Sequence, residues 1–287
     1  MTVAVSGGPD SLALLVLACA AGLEVTAVHV DHGIRPGSDD EAALVKEAAS
    51  RFGAGFEART VLVEPGSVVE ARARRARYGV LPRGVMTGHT MDDQAETVLI
   101  NLLRGAGLDG LAAMSRRRPA GTADTPPGVA TRPLLRLRRS ETAGLCDAFG
   151  LVPFRDPSND DPTFLRNRIR SHLLPLLNEL AGRDVVPILA RQAQLIAEDA
   201  DLLDELAIGI DATDARSLTA APGPLARRAV RRWLRSAANG ADDELHPPSA
   251  AEVARVLSVA EGTATACQVA GGRRVARTAG RLRVEGS

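Results

Sequence analysis

Residues 6–11 read SGGPDS, set between the short apolar run TVAV at 2–5 and the longer run SLALLVLACA at 11–20. A β-prone run, a glycine pair and a helical run make a strand–turn–helix. Glycines allow tight turning and close backbone approach. Consecutive N–H groups and the start of the next helix add positive potential, which suits a phosphate. Ser6 and Ser11 add hydroxyl donors. Asp10 would repel a bare phosphate; it makes sense if a divalent metal lies between, or if the carboxylate faces elsewhere. The spacing matches neither the GxxxxGKS/T phosphate loop nor GxGxxG. The competing reading is a capped strand–helix turn that binds nothing.

Working outward, residues 25–30 (VTAVHV) read as a second strand, and 39–52 as an amphipathic helix with Ser38 as N-cap and Glu41 three residues on. Residues 58–63 make a third strand, 67–78 a strongly basic helix, 84–87 a fourth strand, and 91–103 a helix that opens on acids. A fifth strand is expected near 129–132, after the Pro/Gly-rich loop 119–128, and a helix over about 138–149. The alternation predicts an α/β fold, a mostly parallel five-stranded sheet flanked by helices. Ligands of such sheets bind at the carboxyl ends of the strands. The loops at 6–11, 31–37 and 88–93 should therefore converge on one crevice.

Beyond residue 180 the pattern turns helical, over 184–208, 224–238 and 250–260, and the tail alternates like a small hairpin. The expected division is a catalytic domain over 1–180, a linking helix over 181–210 and a small, mainly helical C-terminal domain over 211–287.

The chain has 287 residues, enough for a real core, and its 35 basic and 35 acidic residues cancel. The distribution is uneven: residues 66–140 hold thirteen bases against six acids, and Lys46 is the single lysine of the chain. Arginine forks suit phosphates and base edges. Cys19, Cys146 and Cys267 stand alone without a CxxC, against a zinc ribbon, iron–sulfur site or dithiol pair. No apolar stretch reaches 18 residues and the start lacks a basic leader, so the expectation is a cytoplasmic protein with no membrane partner.

In GHTMDDQAET at 88–97, His89, Asp93 and Glu96 share one face of the helix start, with Asp92 off that face. Taken singly, they also read as a cap and an ordinary acidic first turn. Arg166 and Arg170 share a helix face and Arg168 points away; one face suits pyrophosphate or RNA, and the other suits protein acids. Arg72, Arg74, Arg75 and Arg77 line the basic helix, and Arg227, Arg228, Arg231, Arg232 and Arg235 make a stripe around Trp233. Each of these surfaces reads as an RNA contact or a solvated face.

SGGPDS resembles the loop of the PP-loop ATP pyrophosphatase superfamily, whose members cleave ATP between the α and β phosphates and adenylate a substrate. VHVDHGIR at 28–35, GHTMDDQAET, RGAGLDGLAAM at 104–114, RPLL at 132–135 and DPSNDDPTFLRNRIR at 156–170 together resemble the tRNA(Ile)-lysidine synthetase family. That resemblance implies a ligase using ATP and Mg²⁺ to join L-lysine to the wobble cytidine of the isoleucine tRNA with a CAU anticodon. It places ATP on Ser6, Gly7, Gly8, Asp10, Ser11, Asp31 and His32, and metal on Asp10 and Asp93. It gives His89, Asp93, Glu96 and Arg104 polar catalytic positions, and offers Arg72, Arg75, Arg166, Arg170, Arg228 and Arg232 to tRNA. It leaves metal and lysine duties among Asp10, Asp93 and Glu96 undivided. The length resembles the compact form of the family, for which a homodimer is implied. The connection GVLPR at 79–83 is shorter than the family's usual helical stretch. The alternatives are a related tRNA thiolase, disfavoured without a cysteine relay, and a catalytically silent nucleotide-binding regulator.

Overall fold

The computed structural model describes residues 1–31, 38–61, 79–82, 84–114, 131–154, 161–237 and 248–285. His32, the basic helix expected at 67–78 with Arg72 and Arg75, the loop 119–128 and residues 156–160 lie outside the described residues. The chain divides into two compact units, the second beginning at Glu198.

The first unit is built on a parallel sheet of β1 (Thr2–Ala4), β2 (Thr26–Asp31), β3 (Gly55–Thr60) and β4 (Met86–Thr87), in the order β3-β2-β1-β4. β1 is central, with Val3 in register with Ala27 on one side and Met86 on the other. Val3, Ala27 and Val28 are buried, as continuous apolar strands of a covered parallel sheet should be. Among the described residues the sheet has four strands rather than the five expected, and residues 129–130 of the expected fifth lie outside them. At the position of the fifth, Thr131 makes a single parallel bridge to Met86: its N–H donates to Val85 O at 3.0 Å, and its carbonyl accepts from Thr87 at 3.0 Å. Arg132 and Pro133 follow at once, and proline has no N–H with which to extend a ladder.

Helix α1 (Pro9–Ala20) buries Leu12, Ala13, Leu14, Leu15, Val16 and Ala18, so it is apolar on nearly every side. Proline at its first position fits the helical φ and forfeits only an N–H that has no intrahelical partner. Helix α2 (Ser38–Arg51) adds Val45, Ala48 and Ala49 to the same core. Helix α3 (Met91–Leu103) coincides with the expected span, because Thr90 and Asp93 cap its start. A short α4 (Leu108–Leu111) and then α5 (Arg139–Ala148) follow. α6 (Leu165–Arg168) passes through a π-helical turn, Ile169–Leu173, into α7 (Leu174–Ala181). Ile169 and Leu174 pack with Ala95, Leu99 and Ile100 of α3 in a second core.

Helix α8 spans Val186–Leu206. The second unit holds α9 (Ala215–Ala220), α10 (Gly223–Ser236) and α11 (Ala250–Glu261). Its tail is a three-stranded antiparallel sheet, β5 (Ala266–Gln268), β6 (Arg274–Thr278) and β7 (Arg281–Glu285), one strand more than the hairpin expected. Val230, Leu234, Val253, Val256, Val275 and Leu282 form its core. No helix among the described residues is long and apolar enough to cross a membrane.

Candidate active site

The SGGPDS turn leaves the carboxyl end of the central strand. Gly7 has φ +83°, a conformation that glycine adopts without strain, and its carbonyl accepts from the N–H of Phe154 at 2.9 Å. Gly8 is extended and forms the N-cap of α1. The two serines bind each other across the turn: the N–H of Ser6 donates to Ser11 Oγ at 3.2 Å, and the hydroxyls lie 3.3 Å apart. Ser11 Oγ also donates to the carbonyl of Gly8 at 2.9 Å. Buried His29 on β2 reaches over, its Nδ1 2.9 Å from the carbonyl of Val5.

The loop after β4 sits directly against this turn. A β-carbon at Gly88 would lie 2.6 Å from the carbonyl oxygen of Asp10 and 2.9 Å from the nitrogen of Ser11. Glycine is required by that close approach. His89 follows, its Nδ1 2.8 Å from Thr87 Oγ1. The N–H and hydroxyl of Thr90 both donate to Asp93 Oδ2, at 2.8 and 3.0 Å.

Asp10, Asp93 and Glu96 come together around one side chain that the sequence reading did not single out. Arg139, the first residue of α5, donates from Nη2 to Asp93 Oδ1 at 2.9 Å and from Nη1 to Glu96 Oε1 at 3.0 Å. Its Nε lies 3.5 Å from Asp10 Oδ2. Thr142, one turn on, donates to the other oxygen of Asp10. The carboxylate of Asp10 thus lies against the start of α5. Asp92 is more than a first-turn acid: it accepts a fork from Arg138, both bonds at 3.1 Å, and the backbone N–H of Arg139 at 2.8 Å.

Glu96 is wholly buried, and Arg170 also holds it, through Nε at 2.7 Å and Nη2 at 3.2 Å. Arg166 Nε lies 3.9 Å away. The face shared by Arg166 and Arg170 therefore meets protein acids. Burial, and next the charge of Asp93, hold the Asp10 carboxyl above its usual range. Burial also pushes Asp93 upward, but the charges of Arg139 and His89 outweigh it and leave that carboxyl below its usual range. Burial works against the Arg139 cation, yet its three carboxylates raise its pKa above the ordinary arginine value.

Other expected residues lie elsewhere. Asp31 ends β2, its carbonyl accepting from Val61 at 2.8 Å. Arg104 caps the far end of α3, exposed and eight residues beyond Glu96, or about 12 Å along the axis. It does not join the cluster. In the second unit, Arg228 is buried against Asp204, and Arg232 donates to the carbonyl of Ala207 at 2.9 Å. Cys19 lies on α1, Cys146 on α5 and Cys267 on β5, all free.

Arg139 carried a signal in the sequence. Two arginines at a helix start oppose the helix dipole, so Arg138 and Arg139 needed acidic partners.

A diglycine turn after the central parallel strand, walled by an acidic helix start, defines a PP-loop fold and site, and the PP-loop domain family matches residues 1–177. The U34-tRNA thiolase NcsA of Methanococcus maripaludis, solved with its 4Fe-4S cluster, shares the fold. It has a TM-score of 0.54 and 17% identity over 69% of this chain and 72% of that one. Similarity in sequence is closer to the tRNA(Ile)-lysidine synthase of Nocardia farcinica, 43% identical over 82% of this chain and 75% of the relative. That of Rhodococcus erythropolis is 42% identical over 82% and 73%. The chain belongs to the tRNA(Ile)-lysidine synthase family of PP-loop enzymes.

Proposed function

We propose that this enzyme adenylates the wobble cytidine of the isoleucine tRNA with a CAU anticodon, using ATP, and then joins L-lysine at C2 to give lysidine, with release of pyrophosphate and AMP. The observation that carries the reading is the Gly7–Gly8 turn at the start of α1 beside Asp10, Asp93 and Glu96, in a chain 43% identical to a tRNA(Ile)-lysidine synthase.

The residues divide the work. The turn and the α1 N-terminus offer N–H groups and positive potential to the ATP phosphates. The 2-carbonyl oxygen of cytidine attacks the α phosphorus, and pyrophosphate leaves. The ε-amine of lysine then attacks C2 and AMP leaves, a far better leaving group than the bare oxygen. Arg170, about one-third exposed at the edge of the acid cluster, is a candidate for stabilising charge on the departing group.

Magnesium takes one or two carboxylates plus nucleotide phosphates, and the oxygen donors fit unequally. Both oxygens of Asp93 are already engaged, by Arg139 and by Thr90, whereas among the described residues Asp10 Oδ2 meets Arg139 at the longer distance of 3.5 Å. Asp10 is thus the carboxylate better placed to hold the metal, which would supply charge neutralisation at the phosphates.

The test is incubation of the protein with ATP, Mg²⁺, labelled L-lysine and the isoleucine tRNA transcript, with a CAU methionine tRNA as control. Label at the wobble cytidine of the isoleucine tRNA alone is the expected result. Pyrophosphate release without lysine incorporation would point to another nucleophile.

A further inference from the structure

We infer that Arg139 is the positioning residue of the reaction, one guanidinium that locks the acid of the nucleotide loop to the two acids of α3, and that Glu96 is its buried anchor. The inference rests on the lysidine-forming reading above.

Geometry supports it in three steps. First, the start of α5 is fixed independently of the cluster. Asp92 takes the Arg138 fork and the backbone N–H of Arg139, so the Arg139 backbone is pinned to the start of α3. Second, from that point each nitrogen of the guanidinium faces a different carboxylate: Nε faces Asp10 at 3.5 Å, Nη2 faces Asp93 at 2.9 Å and Nη1 faces Glu96 at 3.0 Å. A lysine ammonium is a compact point charge and cannot span three acids this way. Asp10 belongs to the turn at β1, Asp93 and Glu96 to the helix after β4, so the two walls of the crevice are tied through one side chain. Third, both oxygens of Glu96 are engaged, one by Arg139 and Arg170 and the other by Arg170, with no exposed surface left. A carboxylate saturated in this manner orients cations. It is poorly placed to receive the ammonium of a substrate.

Reactions that depend on fixed geometry lose about 100-fold in rate for a misplacement of about 1 Å. Replacing Arg139 should therefore slow the chemical step more than it weakens binding. The experiment compares wild type, R139A and R139K in the lysine-incorporation assay, with kcat and KM measured for ATP and for lysine. Unfolding temperatures are recorded in parallel, and 50–100 mM guanidinium chloride is added to R139A as a free replacement cation, a range kept at roughly a tenth of a molar so that it stays well below denaturing levels.

The expected result for R139A is kcat down by about 100-fold with KM for ATP within about threefold, and partial recovery with guanidinium. R139K, which keeps the charge but loses the fork, should fall between R139A and wild type, and serves alone if R139A does not fold. Wild-type kcat in either variant overturns the inference. So does a rise in KM for ATP at unchanged kcat, which would make Arg139 an ATP ligand. Loss of activity that follows loss of folded protein and ignores guanidinium overturns it too, leaving a merely structural arginine. A wild-type protein that incorporates no lysine overturns the underlying reading and the inference with it, an outcome distinct from an active wild type with an indifferent Arg139.

Discussion

Two arginine-rich regions of this molecule invert each other. At the crevice of the first unit, the acid is buried and the arginines reach solvent: Glu96 is 0% exposed, Arg139 25% and Arg170 35%. In the second unit, Arg228 is 9% exposed and its partner Asp204 43%. The buried member of a pair is the anchor, because burying an unpaired charge is costly. The exposed member is the one that a ligand can meet. In the acid cluster Arg170, the more exposed of the two arginines, is therefore the one open to a ligand, whereas Arg228 is a core pin whose charge is answered from outside.

The comparison breaks most decisively at Glu96. E96A removes the anchor and leaves Arg139 and Arg170 beside each other with no carboxylate between them. The expected loss is about 3 kcal/mol of stability, at the lower end for a broken buried pair because both arginines touch water. Lysine incorporation should fall by about 100-fold through the displaced Arg139. Urea denaturation and the incorporation assay measure the two separately. A fully stable E96A would mean that the acid is not the anchor.

G88A tests whether the crevice walls are also fixed through backbone. The added methyl group would sit 2.6 Å from the Asp10 carbonyl oxygen, and backbone cannot rotate away as a side-chain tip can. About 1–3 kcal/mol should be lost, as for an overpacked core. ATP affinity should fall with it, since the start of α1 moves. Equilibrium nucleotide binding checks this; unchanged affinity would show that the two loops are independent.

R228A sharpens the other half. It leaves an exposed carboxylate that water can solvate, so about 1 kcal/mol is expected, mostly lost packing of the long stem. R228M, which keeps the volume, should be close to wild type in thermal stability. Affinity for tRNA should not change in either, by filter binding at fixed salt. A drop in affinity would make Arg228 part of an RNA face.

How much of this was legible in the sequence follows the same line between position and depth. α3 was read to its ends, because its capping residues Thr90 and Asp93 are local features. The order of strands and helices was legible because buried parallel strands are apolar runs. Of the fifth strand, the described residues show one bridge at Thr131, after which Pro133 cannot extend the ladder. The face shared by Asp93 and Glu96 follows from helical spacing alone. Their meeting with Arg139 does not, since 46 and 43 residues separate it from them and only the tertiary fold brings them together. Helical spacing likewise placed Arg228 in a stripe, but it says nothing of how deep a side chain lies.

A third pair completes the series, since neither member of it is buried. Arg281 on β7 meets Asp211 at 2.6 Å, with 54% and 51% of the side chains exposed. The Asp211 carboxyl is held down at about 2, first by the hydroxyl and N–H of Thr213 and then by Arg281. A carboxyl whose folded pKa is depressed adds stability above its unfolded value of 3.8 and loses it as pH falls toward 2. The unfolding temperatures of wild type and D211N should therefore differ slightly at pH 5 and converge between about pH 4 and 2. Raising salt should erase little of that difference, because the main partners are the hydrogen bonds of Thr213 and not the screened charge of Arg281. T213V, which removes the hydroxyl, should raise the Asp211 pKa more than R281A does, in a titration followed by NMR. The reverse order would mean that charge, and not hydrogen bonding, sets this exposed pair, and would bring it closer in kind to the crevice.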